Sequence, residues 1–139
     1  MLYAILCYAQ EDVVGSWSQA EDDACMARLA VIQERLASEG RLGPVARLLP
    51  TTAATTLRKG GAEPLIMDGP FAETKEQLLG FYLVHCDALD DAHDIARELT
   101  EANPVPGCYE IRPVGIFHAG VAVDADEAAG LAAARSQPG

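Results

Sequence analysis

Residues 80–101 read GFYLVHCDALDDAHDIARELTE, and the change of period inside that stretch decides the fold. From Gly80 to Cys86 the chain alternates, with Phe81, Leu83 and His85 on one face and Tyr82, Val84 and Cys86 on the other. This predicts a strand with both faces largely buried, and the reading favours a core hydrogen-bond partner for His85. Asp87 and Asp90 then place negative charge at the positive end of a helix, and Leu89, Ala92, Ile95 or Ala96, and Leu99 give that helix an apolar face ending near Glu101. Asn103, Pro104, Pro106 and Gly107 break the chain, after which Tyr109 to Val114 alternates again and separates Tyr109 and Ile111 from Glu110 and Arg112.

The same grammar appears upstream. Leu2 to Tyr8 is a strand-length apolar run bounded by Gln10, Glu11 and Asp12. Ser18 followed by Glu21 forms a capping box, Cys25, Leu29, Ile32 and Leu36 recur at helical spacing, and Gly40 supplies the stop. Between Arg41 and Pro70 the helical period disappears into short β-prone pieces, Val45 to Leu49, Thr55 to Arg58 and Leu65 to Met67, with Gly60 and Gly61 as a hairpin turn. The order is strand, helix, inserted strands, strand, helix, strand, an α+β class of the ferredoxin-like split βαβ type with helices on one sheet face. The other face would meet water, so a homodimer is expected.

At 139 residues, with 50% hydrophobic and 22% charged residues, the chain is one folded domain rather than a disordered segment. Ten Lys and Arg against 21 Asp and Glu leave a net charge of -11, which disfavours nucleic acid and anionic membrane surfaces as partners. The first basic residue is Arg28, so no secretory signal is expected and a cytoplasmic protein is. Cys7, Cys25, Cys86 and Cys108 lack zinc or disulfide-scaffold spacing and read as reduced, packed thiols. His85, His93 and His118 have no metal spacing, and no phosphate cradle or nucleophile elbow is present, so neither metal nor cofactor is expected. Residues 1–118 form the expected domain, and 119–139 an Ala-rich peripheral tail dispensable for folding.

The densest polar text is Asp68-Gly69-Pro70-Phe71-Ala72-Glu73-Thr74-Lys75-Glu76. This string resembles the signature of the DGPF-domain branch of the YCII-related family. Thr55 to Arg58, Gly80 to Val84 and Glu110 to Val114 resemble the family's neighbouring strands. The resemblance implies a ferredoxin-like unit pairing into a dimeric α+β barrel, in a family whose members mostly lack an assigned reaction. It also implies a regulatory setting, because such genes often lie beside extracytoplasmic-function sigma factors. Two departures stand out. The family often carries two glycines where this chain has Leu79-Gly80, and better-studied relatives are associated with a His and Asp pair whose His falls in the first helix. Here that position is Cys25, beside Met26, so a His and Asp mechanism does not transfer.

Two readings stand for Asp68: a carboxylate held over a pocket, or one bonded to the backbone of its own turn. Glu73 and Lys75 are either a site wall or a solvated charged turn. Arg58 and Arg112 lie on strands, where an anion would be held; Arg112 and Glu110 either face the barrel interior or form a buried ion pair. Tyr3, Tyr8, Tyr82 and Tyr109 either pack or line a cavity. The expected role is a small-molecule-binding or regulatory accessory protein with Arg58, Asp68, Glu73, Lys75 and Arg112 at its ligand site. Its rivals are a cofactor-independent isomerase, lyase or hydrolase with Asp68 or Glu73 as general base, and a structural dimerisation module without a ligand.

Overall fold

A computed structural model describes residues 1–121. The chain runs β1 (Leu2–Ala9), α1 (Glu11–Gly15), α2 (Gln19–Ser38), β2 (Leu42–Arg47), one 3-10 turn (Thr51–Ala53), β3 (Thr55–Arg58), β4 (Leu65–Asp68), β5 (Gln77–His85), α3 (Leu89–Ala102) and β6 (Gly107–Pro113). The main sheet has the order β2-β5-β1-β6 and is antiparallel throughout. Strands β1 and β2, which flank α2, are separated by β5, an arrangement consistent with a ferredoxin-like α+β fold. Strands β3 and β4 form a ribbon of their own. Of the Ala-rich tail assigned to 119–139, everything after residue 121 lies outside the described residues.

The helix ends fall near their signals, although the capping box at Ser18 is half formed and Asp91, not Asp87 or Asp90, supplies the bond that starts the second long helix. Ser18 Oγ accepts the Glu21 backbone N–H at 3.1 Å at the start of α2. At its end Gly40 takes a φ of +70°, and the N–H groups of Gly40 and Arg41 return to the carbonyls of Ala37 and Leu36, which closes the last turn. The Asp91 carboxylate accepts the Ala88 N–H at 3.1 Å and so starts α3, whereas Leu89 points outward and is 45% exposed. The buried face of α3 is therefore Ala92, Ile95, Leu99 and Ala102. Helix α1 has no counterpart in the sequence reading: a single turn with no buried residue leaves no apolar period to detect.

Both long helices pack on one face of the sheet. Ile5, Leu36, Val84 and Leu99 are the largest fully buried side chains, and Tyr3, Cys25, Leu29, Tyr82 and Ile95 surround them. The alternation predicted for β5 is present, but its two faces differ. Tyr82, Val84 and Cys86 are buried, Phe81 and Leu83 are only half-buried, and His85 is exposed rather than held by a core partner. The reason is topological, since among the described residues no helix covers the face that carries Phe81, Leu83 and His85.

Gly80 fixes how closely β2 approaches β5. A Cβ placed on it would lie 2.3 Å from the Ala46 carbonyl oxygen, a distance no side chain tolerates. The preceding residue, Leu79, packs half-buried, with its carbonyl accepting the Leu48 N–H at 2.8 Å, so one glycine suffices here. Gly80→Ala is expected to force β2 away and to lower unfolding free energy by about 1–3 kcal/mol. Gly15→Ala, whose Cβ would meet nothing within 4 Å, is expected to stay within about 0.5 kcal/mol of the parent. Urea midpoints decide it, and equal midpoints for the two variants would refute the close-approach account.

Candidate functional site

The signature segment begins at the end of the β3–β4 ribbon. Its register pairs Thr55 with Asp68, Leu57 with Ile66 and Arg58 with Leu65. Strand alternation therefore sets Asp68 on the ribbon face of Leu57 and Ile66, and Arg58 on the opposite one. Gly69 adopts a φ of +98°, donates to the Ala54 carbonyl at 2.7 Å and accepts from the Thr56 hydroxyl at 2.8 Å. Those bonds hold the turn without help from the Asp68 side chain, which makes no hydrogen bond to its own backbone. Arg58 donates to the Phe71 carbonyl at 2.8 Å. Asp68, Glu73 and Lys75 are exposed, and none pairs with a charged group among the described residues. The expected site residues are thus not drawn together within a single chain.

The end of the signature reaches the uncovered sheet face. Glu76 is half-buried, and its Oε2 lies 3.7 Å from the Cys108 thiol of β6. On the same face the Tyr8 hydroxyl donates to Glu110 at 3.5 Å, and Arg112 stands close enough to lower the Tyr8 phenol against the larger opposing effects. Lost hydration, and after it the Glu110 carboxylate, raise the Tyr8 phenol above its ordinary value; lost hydration and Glu76 raise the Cys108 thiol. Tyr8, Glu76, Cys108, Glu110 and Arg112 therefore form one polar cluster. Glu110 and Arg112 are both exposed and, among the described residues, form no ion pair, so the buried-pair reading of Arg112 does not hold within one chain: a strand at the sheet edge turns these residues away from the helices. Cys108 is likewise exposed rather than packed, although all four cysteines are free.

A second opening lies on the helix side, where the sequence reading placed no site. It is a cleft of about 120 Å³ between α2 and the inner sheet face, with Trp17, Cys25, Met26, Tyr82 and Tyr109 among its walls. Arg47 bridges its rim, 3.1 Å from Asp22 and 3.7 Å from the Met26 sulfur. Two of its walls, Tyr82 and Tyr109, are among the tyrosines that the sequence left divided between packing and lining a cavity. Burial pushes the Cys7 thiol and the Tyr82 phenol each up to about 12, and raises the Tyr109 phenol as well. Among the described residues no group of three or more His, Cys, Asp and Glu side chains is placed to hold a metal, and no helix is long and apolar enough to cross a membrane.

A four-stranded antiparallel sheet with α2 and α3 on one side and a polar cluster on the other defines the class of domain. The YCII-related domain model matches residues 1–118, and the chain belongs to that family. It is 56% identical over 120 residues to an uncharacterised protein of Rhizobium meliloti (strain 1021), an alignment covering 86% of this chain and 97% of that one.

The inner face has a consequence in alkali. Folded Cys7 and Tyr82 keep protons up to about 12 that the unfolded chain releases near 9.0 and 10.0. Unfolding then sheds protons, so this contribution is complete below about pH 9 and is lost as pH rises toward 12. Urea midpoints are expected to fall from about pH 9 upward, with a shallower fall in Tyr82→Phe. An identical slope in that variant would refute the burial of the phenol.

Proposed function

We propose that this chain is a small-molecule-binding or regulatory accessory protein of the DGPF branch, working in the cytoplasm as a homodimer. In this reading two open sheet faces meet as an α+β barrel, and Arg112, with Glu110 and Tyr8, lines its interior. Asp68, Glu73 and Lys75, with Arg58, wall the ligand space. The observation that carries the reading is the meeting of the signature's Glu76 with Cys108 of β6 on that face. It links the family string to the polar cluster of Tyr8, Glu110 and Arg112.

The exposed apolar surface supports the dimer. Leu57, Leu65, Ile66 and Met67 are 52%, 58%, 69% and 46% exposed on the two faces of the β3–β4 ribbon, and Phe71 is 72% exposed beside it. A two-stranded ribbon is marginal alone in water, and this one packs mainly against itself. A second copy of the chain would supply the missing cover.

Light scattering after size exclusion is expected to give about twice the chain mass of 14.7 kDa, and Ile66→Glu to shift the protein toward monomer. A well-folded parent monomer at micromolar concentration would remove the barrel.

The exposed carboxylates give an independent check. Asp68→Asn and Glu73→Gln are expected to melt within about 0.5 kcal/mol of the parent while losing any ligand response found in a metabolite screen by melting shift. Destabilisation of both variants, with no response in the parent, would instead favour a scaffold role. Turnover of the ligand would move the protein to the enzyme class.

A further inference from the structure

Among the described residues, no backbone–backbone hydrogen bond ties Ala72 to Glu76 to the rest of the fold. Side chains therefore decide where the end of the signature lies. The Arg58 guanidinium holds the Phe71 carbonyl before this stretch, and Gln77 holds the stretch itself.

Gln77 is the first residue of β5, and its backbone is fixed by pairing opposite Ala9. Its half-buried side chain works in two directions. Oε1 accepts the Glu11 N–H at 2.9 Å, at the start of α1, and Nε2 donates to the Thr74 carbonyl at 2.6 Å. A carboxamide can do this because it accepts and donates on one planar group; a carboxylate makes only the first bond, and an aliphatic side chain neither. The Thr74 hydroxyl in turn donates to the Glu76 carbonyl. Glu11 is itself secured, since its carboxylate accepts both the N–H and the hydroxyl of Thr51. Hydrogen bonds thus lead from the 3-10 turn through α1 and Gln77 to Glu76, whose carboxylate accepts from the Cys108 thiol at 3.7 Å.

We propose that Gln77 and Thr74 are positioning residues: they hang the end of the signature from α1 and so set the Glu76 carboxylate into the polar cluster of the open sheet face. Their importance for a ligand rests on the open-face reading above. The positioning itself is read from Cys108 with no ligand present, so the two can fail separately.

The Cys108 thiol reports where Glu76 stands. It faces Glu76 from the signature, Glu110 from its own strand and Tyr8 from β1, with Arg112 acting on Tyr8. Lost hydration raises the thiol most, and the carboxylates of Glu76 and Glu110 raise it further. Releasing Glu76 removes a negative charge and admits water, and both changes lower the thiol.

The test follows the β-carbon NMR signal of Cys108 against pH in the full chain, with amide spectra reporting the fold. Glu76→Gln is expected to lower the Cys108 titration midpoint, and Gln77→Leu and Thr74→Val to lower it as well. The shift caused by Gln77→Leu should be smaller on a Glu76→Gln background, where the charge is already gone. Thr100→Val loses a hydroxyl-to-carbonyl bond of 2.8 Å in α3 and should leave the midpoint where the parent has it. Thr74→Val leaves β5 untouched and decides alone should Gln77→Leu fail to fold. A folded Gln77→Leu or Thr74→Val variant with the parent's midpoint, or a Gln77→Leu shift undiminished by Glu76→Gln, would overturn the proposal.

Discussion

Strand β1 is hydrogen-bonded along both edges, to β5 on one side and β6 on the other, and its pleat sorts the chemistry of the molecule. Tyr3, Ile5 and Cys7 point toward the helices, whereas Ala4, Leu6 and Tyr8 point away. Adjacent residues thus enter opposite media. Cys7 sits where burial suppresses ionisation, while Tyr8 meets a carboxylate across the strand pair. A register shift between Cys7 and Tyr8 occurs where β1 turns from pairing Gly80 to pairing Leu78, close to the point at which β2 presses on Gly80. Cleft and polar cluster are consequently two sides of one short length of sheet.

The second constraint is that, among the described residues, helices cover the sheet on one face only. Helices α2 and α3 pack through the apolar cluster of Cys25, Leu29, Leu36, Ile95 and Leu99, with an exposed Arg35–Glu98 pair beside it, and both remain on the inner side. The ribbon inserted between β2 and β5 stays outside that layer, held by ties at its base. Glu11 is central to those ties: its carboxylate takes the Thr51 backbone N–H at 2.9 Å and the Thr51 hydroxyl, while its own N–H goes to Gln77 Oε1 at 2.9 Å. The short helix α1 therefore has a positioning task despite burying nothing. It joins the loop after β2 to the start of β5, the two ends between which the ribbon and the signature emerge.

How much of this was legible follows from where the information lies. Alternation in Gly80–Cys86 and helical spacing from Cys25 to Leu36 and Ala92 to Leu99 are local, and they located the strands, helices and their order. The fate of a strand's second face is not local. Phe81 and Val84 are equally apolar in the text, yet only Val84 is buried, because the difference lies in which side the helices cross. The same blindness misplaced His85 and read Cys108 as packed. For the site, the signature string identified an unusual segment but not its geometry. Asp68 and Arg58 fall on opposite ribbon faces through a register that pairing alone determines. The cleft was harder still, since its walls come from residues scattered between Cys7 and Tyr109, and the text leaves Tyr82 and Tyr109 divided between packing and lining a cavity.

The thiol that α2 turns toward the cleft bears on what the helix side can do. An imidazole there would exchange protons near neutrality. Cys25 is buried, its thiol lies 3.8 Å from the Ala102 carbonyl, and burial raises it above its ordinary value despite the nearby Arg28. A thiol so placed is a poor nucleophile and a poor general base, because the reactive form is the thiolate. Its contact is instead structural: with Arg28 it seats the end of α3 against α2 and so sets the position of Asn103. The helix side thus offers a shaped, largely apolar cleft, and Cys25 supplies it with no group that exchanges protons near neutrality.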